Sequence, residues 1–527
     1  MKKLLLSGNE AIALGAYRAG ATVGTAYPGT PSTETMQEFS KYPSVYTEWS
    51  TNEKTSLEVA IGSSLAGRRT LVTMKHVGMN VAADPLFTQS YIGVNGGLVI
   101  LVADDPAMHS SQNEQDSRHY AIAAKLLMLE PSDSQEAYDY TRLAFELSER
   151  YDTPVLLRST TRISHSKSLV NDDEKNTTVP VPKEFIRNQK KFVMIPAYAR
   201  ARHIEVEKRE AKLREAVESI SINRQELNRK EIGFITSGIA YTYIKEVFPD
   251  ASILKLGVVN PIPLKTITDF ASKVKRLFVV EELDPVIETQ VKALGVKCEG
   301  KNLLSILGEF SPDTIADAVT GVTDRSTIAS SISIPGRPPS LCQGCPHRPV
   351  FQAFKDMNLI VSGDIGCYTL GSLPPFSAMD ICVDMGASVT VAQGLEIGLA
   401  DNYKNNVVAV IGDSTFAHSG INGLINAAYN RRHSLIIVLD NGTTAMTGMQ
   451  PNPFSGKTLQ GDDTFVLDYE KLAQAVGIGS DNFVMIDAYK EKNIKGIIQG
   501  LLDSNKLSLM VVKGVCIINN RRKAKQS

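Results

Sequence analysis

One stretch constrains this chain more than any other: VVAVIGDSTFAHSGINGLINAAYNRRHSLIIVLDNGTT, residues 407–444. An apolar run stops at Gly412-Asp413-Ser414, a helical pattern follows, and a second apolar run stops at Asp440-Asn441-Gly442. Runs apolar on both faces belong in a parallel sheet covered on both sides. Open parallel sheets collect ligands outside the carboxyl ends of their strands. The 28 residues from Asp413 to Asn441 make one strand–helix–strand turn, so adjacent strand ends can bring both side chains to one ion. A carboxylate, an amide oxygen and a backbone carbonyl are hard ligands suited to Mg²⁺ shared with phosphate oxygens. Gly412 lets the backbone approach a diphosphate, and the next helix favours anionic charge at its N-terminus. The bland alternative is a strand-end aspartate that caps a helix.

The same alternation organises the rest of the chain. Over residues 1–165, KLLLSG, RTLVTMKH, GGLVILVAD and TPVLLRST read as strands of a parallel sheet, each followed by a turn and a helical pattern. KLLLSG reads as a first buried strand entering a loop, with Asn9 and Glu10 interrupting what imitates a signal peptide. Residues 166–230 are dense in charge and read as a solvated helical connector. Over 231–325, EIGFITSG, ASILKLGVVNPIP and VKRLFVVEELDP suggest three parallel strands of a smaller α/β domain. Residues 326–340 are a Ser/Pro/Gly linker. Residues 341–527 carry LIVSGDIG, ICVDMG, VVAVIGD, SLIIVLDN and LMVVKGVC, a second full strand series. The fold class is α/β: two parallel-sheet domains with a smaller α/β domain between them.

Composition matters for what it excludes. A formal net charge of −1 over 527 residues gives no field favouring nucleic acid or an anionic membrane. No run approaches the roughly 20 apolar residues of a membrane helix. Six cysteines are too few for a disulfide framework at this length and suit a reducing cytoplasm. No G-x-G-x-x-G follows the first strand, which argues against a dinucleotide fold. In LCQGCPHRP, Cys342 and Cys345 are compatible with half of a zinc site, a redox dithiol or part of an iron–sulfur cage.

G-D-x followed about 28 residues later by N resembles the diphosphate motif of thiamine diphosphate (TPP) enzymes, with Ser414 at the usual third glycine. The resemblance implies that Asp413, Asn441 and the Thr443 carbonyl hold Mg²⁺, and that Gly412 and Ser414 lie along the diphosphate. It also calls for a glutamate on the aminopyrimidine. In EWSTNEKTSLEVAIGSSLAG the family spacing of Glu to Gly fits Glu53 and Gly67 better than Glu58. The bland reading of Glu53 is a first-turn acid complementing a helix dipole. AYPGTPSTE resembles the Y-P-x-T-P loop of 2-oxoacid:ferredoxin oxidoreductases, in which the threonine, here Thr30, contacts the oxoacid.

DDPAMHSSQNEQDSRHYA, LCQGCPHRP and GDIGCYTLGSLPPF narrow the resemblance to the α subunits of the indolepyruvate (arylpyruvate) ferredoxin oxidoreductase family, over nearly the whole chain. It implies a pyrimidine-binding domain over 1–165, a transketolase-C-terminal-like domain over 231–325 and a diphosphate-binding domain over 341–527. DNGTTAMTGMQ parallels the relatives' N-x-x-Y-x-x-T-G-x-Q element and nominates Thr447, Gly448 and Gln450 as cofactor-lining. Cys342, Cys345, Cys367 and Cys516 occupy, in family order, the four places that hold a [4Fe–4S] cluster. A Cys₄ zinc site is equivalent at this level, and Cys298 and Cys382 read as core residues.

The implied reaction is oxidative decarboxylation of a 2-oxoacid to acyl-CoA and CO₂, with coenzyme A as co-substrate. Implied partners are a smaller β- or γ-type subunit in a hetero-oligomer, and ferredoxin or a separate electron-carrying subunit. The family's C-terminal ferredoxin-like domain has no counterpart in the 11 residues after Cys516, which leaves the electron acceptor open. Rival readings are a non-oxidative TPP decarboxylase or carboligase, and a catalytically silent assembly subunit.

Overall fold

The computed structural model describes residues 2–174, 177–178, 183–322, 335–336, 338–399 and 406–526. The chain divides into two compact units, Met1–Ile328 and Ala329–Ser527. Most of the expected linker, 326–334 and 337, lies outside the described residues. Among the described residues no helix is long and apolar enough to cross a membrane.

The first unit is built on a seven-stranded sheet. Its order is Val258–Asn260, Leu127–Leu129, Val155–Thr160, Leu98–Asp104, Thr70–Lys75, Val23–Ala26, Tyr46–Trp49, all parallel except the first. TLVTMK, LVILVAD and VLLRST are buried at every position, as strands covered on both faces must be. Tyr46–Trp49 is the strand expected ahead of the Glu53 helix, whereas Val23–Ala26 and Leu127–Leu129 were not expected; at three or four residues they give too little pattern to read.

Lys2–Ser7 corrects the sequence reading. It is a strand, but it pairs antiparallel with Lys167–Asp172 in a separate two-stranded ribbon that leaves Leu5 61% exposed. Ser7 and Glu10 form a reciprocal capping box that starts the helix Gly8–Arg18, so Asn9 and Glu10 open a helix where a loop was expected. The 166–230 connector is likewise helical only in part. It begins with Lys167–Asp172, and its long helix Pro196–Ala216 buries Val206, Arg209 and Leu213 against Ala83–Ile92.

A smaller sheet in the same unit runs Arg276–Val280, Arg229–Thr236, Ala251–Lys255, Arg224–Glu226. The three expected strands are parallel, and Arg224–Glu226 adds antiparallel. ASILKLGVVNPIP breaks after Lys255, and its second half, Val258–Asn260, leaves this sheet to pair with Leu127–Leu129 in the large one. Side chains tie the two sheets together. Buried Arg118 donates through Nη1 to Glu281 Oε2 (2.5 Å) and through Nη2 to the carbonyls of Glu282 and Asp284, while Nε holds Asp116 (2.9 Å). Buried Arg158 bonds Asp104 (2.7 Å) and Glu130, and Ser237 of the small sheet donates to Glu130 (2.9 Å).

The second unit is one parallel sheet in the order Ile381–Cys382, Ile360–Gly363, Val407–Gly412, Leu435–Asp440, Ser508–Lys513, Phe483–Asp487. All five expected strands are present, and Phe483–Asp487 is additional. Cys382, expected in the core, is exposed because Ile381–Cys382 is a two-residue strand at the sheet's edge. Cys298 is half-buried against the small sheet of the first unit.

Removing one partner of a buried charge network strands the others without compensation, at about 3–5 kcal/mol. Arg118→Ala is expected to lower the stability of the first unit by that amount, read as a shifted urea midpoint. An unchanged midpoint would show that the network adds nothing.

Candidate functional site

In the second unit the strand order places the informative residues side by side. Gly412 pairs with Leu439, and Asp440 pairs with Lys513, so Asp413, Asn441 and the Gly514–Cys516 turn leave one carboxyl edge as neighbours. Chain order reverses between Ile360–Gly363 and Val407–Gly412, the switch point at which ligands of such sheets bind. Asp364 and Cys367 follow the first of these strands, and Asp413 and Ser414 follow the second.

Asp413 is buried, and Asn452 Nδ2 donates to its Oδ2 (2.9 Å). Burial, with the nearby Asp440 charge, pushes the Asp413 carboxyl up, and burial does the same to Asp440. Two desolvated carboxylates that feel each other favour nearby positive charge, and Lys513 Nζ stands 3.9 Å from Asp440 Oδ2. The Asn441 side-chain oxygen accepts from the Thr443 amide (3.0 Å) and keeps a second lone pair. These donors are hard and suit Mg²⁺. Ser414 Oγ accepts from the Thr444 hydroxyl (2.9 Å). Thr444 and Gln450 close the following loop as an antiparallel bridge. Inside it Thr447 donates to Gln450 Oε1 (2.6 Å), and Gln450 Nε2 donates back to the Thr447 carbonyl (2.8 Å). Gly448 has φ +126°, and a Cβ there would stand 2.8 Å from Gln450 Nε2. Over Gly412 lies the Tyr368 ring, 2.6 Å from where a Cβ would be, which gives that glycine a packing reason of its own.

The cysteine segments adjoin this edge. The Cys516 amide donates to the Asn441 carbonyl (3.2 Å), and Asn441 Nδ2 donates to Nε2 of His347, the histidine of the C-x-x-C-P-H segment (3.4 Å). His347 is buried, and burial pulls its pKa down to about 4, so it faces Asn441 as a neutral ring. Cys345, Cys367 and Cys516 are half-buried and Cys342 is exposed; all are free thiols. Burial first, and then Cys516, Cys345 and Cys342 in that order, push the Cys367 thiol up to about 11. Burial with Cys342 and Cys516 raises Cys345 to about 11 as well. The four sulfurs are therefore neighbours, and Cys345 and Cys367 are the two whose thiols are raised. Among the described residues no three His, Cys, Asp or Glu side chains form a ready nest for a metal ion.

In the first unit the strand order reverses between Val23–Ala26 and Thr70–Lys75, and the loops there carry the other candidates. Thr30 is half-buried in the turn after Val23–Ala26. Glu53 opens the helix Glu53–Leu65, whose N-cap Asn52 accepts from the Thr55 amide (2.9 Å). Glu53 is 5% exposed and lies against Gly78, where a Cβ would come within 2.6 Å of its Cγ and 2.7 Å of Oε1. Several residues here were missed by sequence reasoning. Lys75 ends a strand otherwise made of TLVTM and His76 opens the next helix, and that abrupt switch from apolar to basic residues was the available signal. Asp105 accepts from Ser111 Oγ (2.6 Å), the Ser110 amide (2.8 Å) and Thr161 Oγ1 (2.6 Å). In the second unit Asp364, Asp440, Asn452 and His347 were also given no role. Asp364 takes the amides of Gly386 (2.8 Å) and Ser388 (3.0 Å), a contact 22–24 residues away in sequence that no local pattern encodes.

Comparison with known families places both units. Residues 14–226 match "Pyruvate flavodoxin/ferredoxin oxidoreductase, thiamine diP-bdg", and residues 364–512 match "Thiamine pyrophosphate enzyme, C-terminal TPP binding domain". The indolepyruvate oxidoreductase subunit IorA of Pyrococcus horikoshii is 40% identical, over 100% of this chain and 88% of its own length. The IorA subunit of Archaeoglobus fulgidus is 38% identical, over 98% and 87%. Among solved structures, a 2-oxoglutarate:ferredoxin oxidoreductase from Magnetococcus marinus, with 2-oxoglutarate, coenzyme A and succinyl-CoA bound, shares the fold at a TM-score of 0.53 and 16% identity. That match covers 60% of this chain and 65% of the other.

The approach of Gly78 to Glu53 makes a sharp test. Displacing a reacting group by about 1 Å costs on the order of 100-fold in rate. Gly78→Ala is expected to lower kcat to that degree without unfolding the first unit, with circular dichroism as the control. Unchanged kcat would show that the Glu53 carboxyl has room to move.

Proposed function

The chain belongs to the family of indolepyruvate oxidoreductase IorA subunits, and from that premise we propose that it carries the TPP site of a 2-oxoacid oxidoreductase acting on arylpyruvates such as indolepyruvate. The 2-oxoacid and coenzyme A become acyl-CoA and CO₂, and a pair of electrons leaves toward ferredoxin or an electron-carrying subunit. A smaller partner subunit completes the hetero-oligomer. The six free thiols suit a reducing cytoplasm.

The observation that carries this reading is the shared carboxyl edge. Asp413 and Asn441 leave adjacent strands there, and Asn441 is bonded to both Cys516 and His347. Bound at these residues, TPP would supply the nucleophile and electron sink for cleavage beside an oxo group, Mg²⁺ the charge holding its diphosphate, and a [4Fe–4S] cluster a one-electron acceptor. Asp413, Asn441 and the Thr443 carbonyl are the Mg²⁺ ligands, and burial of the Asp413 carboxyl beside Asp440 favours that ion. Gly412 and Ser414 border the diphosphate, and Thr447, Gly448 and Gln450 line the same edge. Cys342, Cys345, Cys367 and Cys516 are the cluster ligands, three of them half-buried and Cys342 exposed. Glu53, buried at the start of its helix, is the acid assigned to a TPP aminopyrimidine. The Thr30 hydroxyl donates to the oxoacid.

Glu53→Gln is expected to abolish CO₂ release from phenylpyruvate while calorimetry still registers Mg²⁺-dependent TPP binding; normal turnover would remove Glu53 from this role. Protein purified anaerobically with its partner subunit should contain iron and acid-labile sulfide and give an EPR signal on reduction. Protein that lacks iron and still transfers electrons would refute the cluster assignment.

A further inference from the structure

Lys75 is the buried cation that the roles above leave unused. It is 8% exposed, and lysine is almost never buried to that degree without a paired anion. Among the described residues Lys75 forms no ion pair: its Nζ donates to the Ser110 carbonyl (2.6 Å) and keeps two further N–H groups. Its stem runs beside the Gly29–Thr30 turn, since a Cβ on Gly29 would stand 3.3 Å from Lys75 Cβ. Ser110 joins the two, accepting from Lys75 through its carbonyl and donating through Oγ to the Thr30 carbonyl (3.3 Å). The next residue, His76, is fully buried. Its Nε2 lies 3.2 Å from Ser111 Oγ, and its Nδ1 has no hydrogen-bond partner among the described residues.

We propose that Lys75 is the seat of the substrate's carboxylate, its ammonium and the Thr30 hydroxyl receiving the two ends of the 2-oxoacid head group. This rests on the reading given under Proposed function. The charges facing Lys75 are Glu53, Asp105 and His76. Asp105 has both oxygens committed to Ser110, Ser111 and Thr161. Glu53 is turned against Gly78. Burial pulls His76 down to about 4, so it adds no positive charge at neutral pH. Burial likewise pulls the Lys75 pKa down to about 8, the pull of Asp105 and Glu53 notwithstanding, so an incoming carboxylate meets an ammonium poorly stabilised without it. The diphosphate has its own set of residues in the second unit, and a single ammonium matches the single charge of a carboxylate.

The test uses the complex of this chain with its partner subunit, loaded with TPP and Mg²⁺. The probes are 3-phenyllactate, a 2-hydroxy acid that the enzyme cannot decarboxylate oxidatively, and its neutral amide. Both are measured as competitive inhibitors against phenylpyruvate. Losing one partner of a buried charge pair weakens binding by about 30- to 5,000-fold. The wild type should prefer the acid over the amide by a factor in that range. Lys75→Gln should bring the ratio near unity and raise KM for phenylpyruvate similarly, with kcat within a few-fold and TPP affinity by calorimetry unchanged. Lys75→Arg should keep most of the preference. The kcat/KM of the wild type should fall above about pH 8 as the ammonium loses its proton, and Lys75→Arg should carry that limb to higher pH. The Arg variant and this profile also serve if Lys75→Gln fails to fold. A Lys75→Gln complex that keeps the acid preference, or a wild-type profile flat above pH 8, overturns the assignment. A wild-type complex that decarboxylates no 2-oxoacid overturns the proposed function itself.

Discussion

A parallel sheet sends the carboxyl end of every strand to one edge, and the chemistry of this chain follows from that constraint. The strands are apolar along their lengths, so their polar residues are displaced into the loops that leave this edge. In the second unit the edge receives Asp364, Asp413, Asp440, Asn441 and the Cys516 turn from four strands that adjoin in the sheet. In the first unit the reversal between Val23–Ala26 and Thr70–Lys75 gathers the Thr30 loop and the Lys75-His76 pair in the same way.

Both units then hold charge where water cannot reach it. Asp413 and Asp440 repel each other under desolvation, and burial with the neighbouring sulfurs raises the thiols of Cys345 and Cys367. Lys75 holds its side-chain nitrogen beneath a turn, with the Ser110 carbonyl as its one hydrogen-bond partner among the described residues. The Arg118 and Arg158 network is the contrasting case. Its four carboxylates, Asp104, Asp116, Glu130 and Glu281, share the two guanidinium groups of Arg118 and Arg158 through short ion pairs. That paired burial fastens one sheet to the other, whereas Lys75 and Asp413 are buried charges without an ion pair among the described residues.

The sequence made the long features legible. Fully buried runs of five or more residues declared themselves as strands, and the Gly412-Asp413 and Asn441 strand ends stood out because a charged or amide residue closed each run. Shorter strands such as Leu127–Leu129 escaped because three residues have no period. Lys2–Ser7 misled because KKLLLS is apolar enough for a core, yet it pairs in a ribbon with no covering layer. Lys75, Asp364 and Asn452 were missed for a different reason. Their meaning lies in partners 22 to 39 residues away, Ser110, Gly386 and Asp413, and such partnerships exist only once the sheets have formed.

Val258–Asn260 has a consequence for how the first unit can be divided. An unpaired edge strand offers its free N–H and C=O groups to any other strand it meets. Leu127–Leu129 is such an edge, three apolar residues long, and Val258–Asn260 reaches across from the small-sheet region to cover it. The small sheet is therefore also the solubility guard of the large one. A fragment cut at the apparent boundary near residue 230 would keep every loop of the Thr30 and Glu53 site and leave a sticky strand bare, prone to join copies of itself.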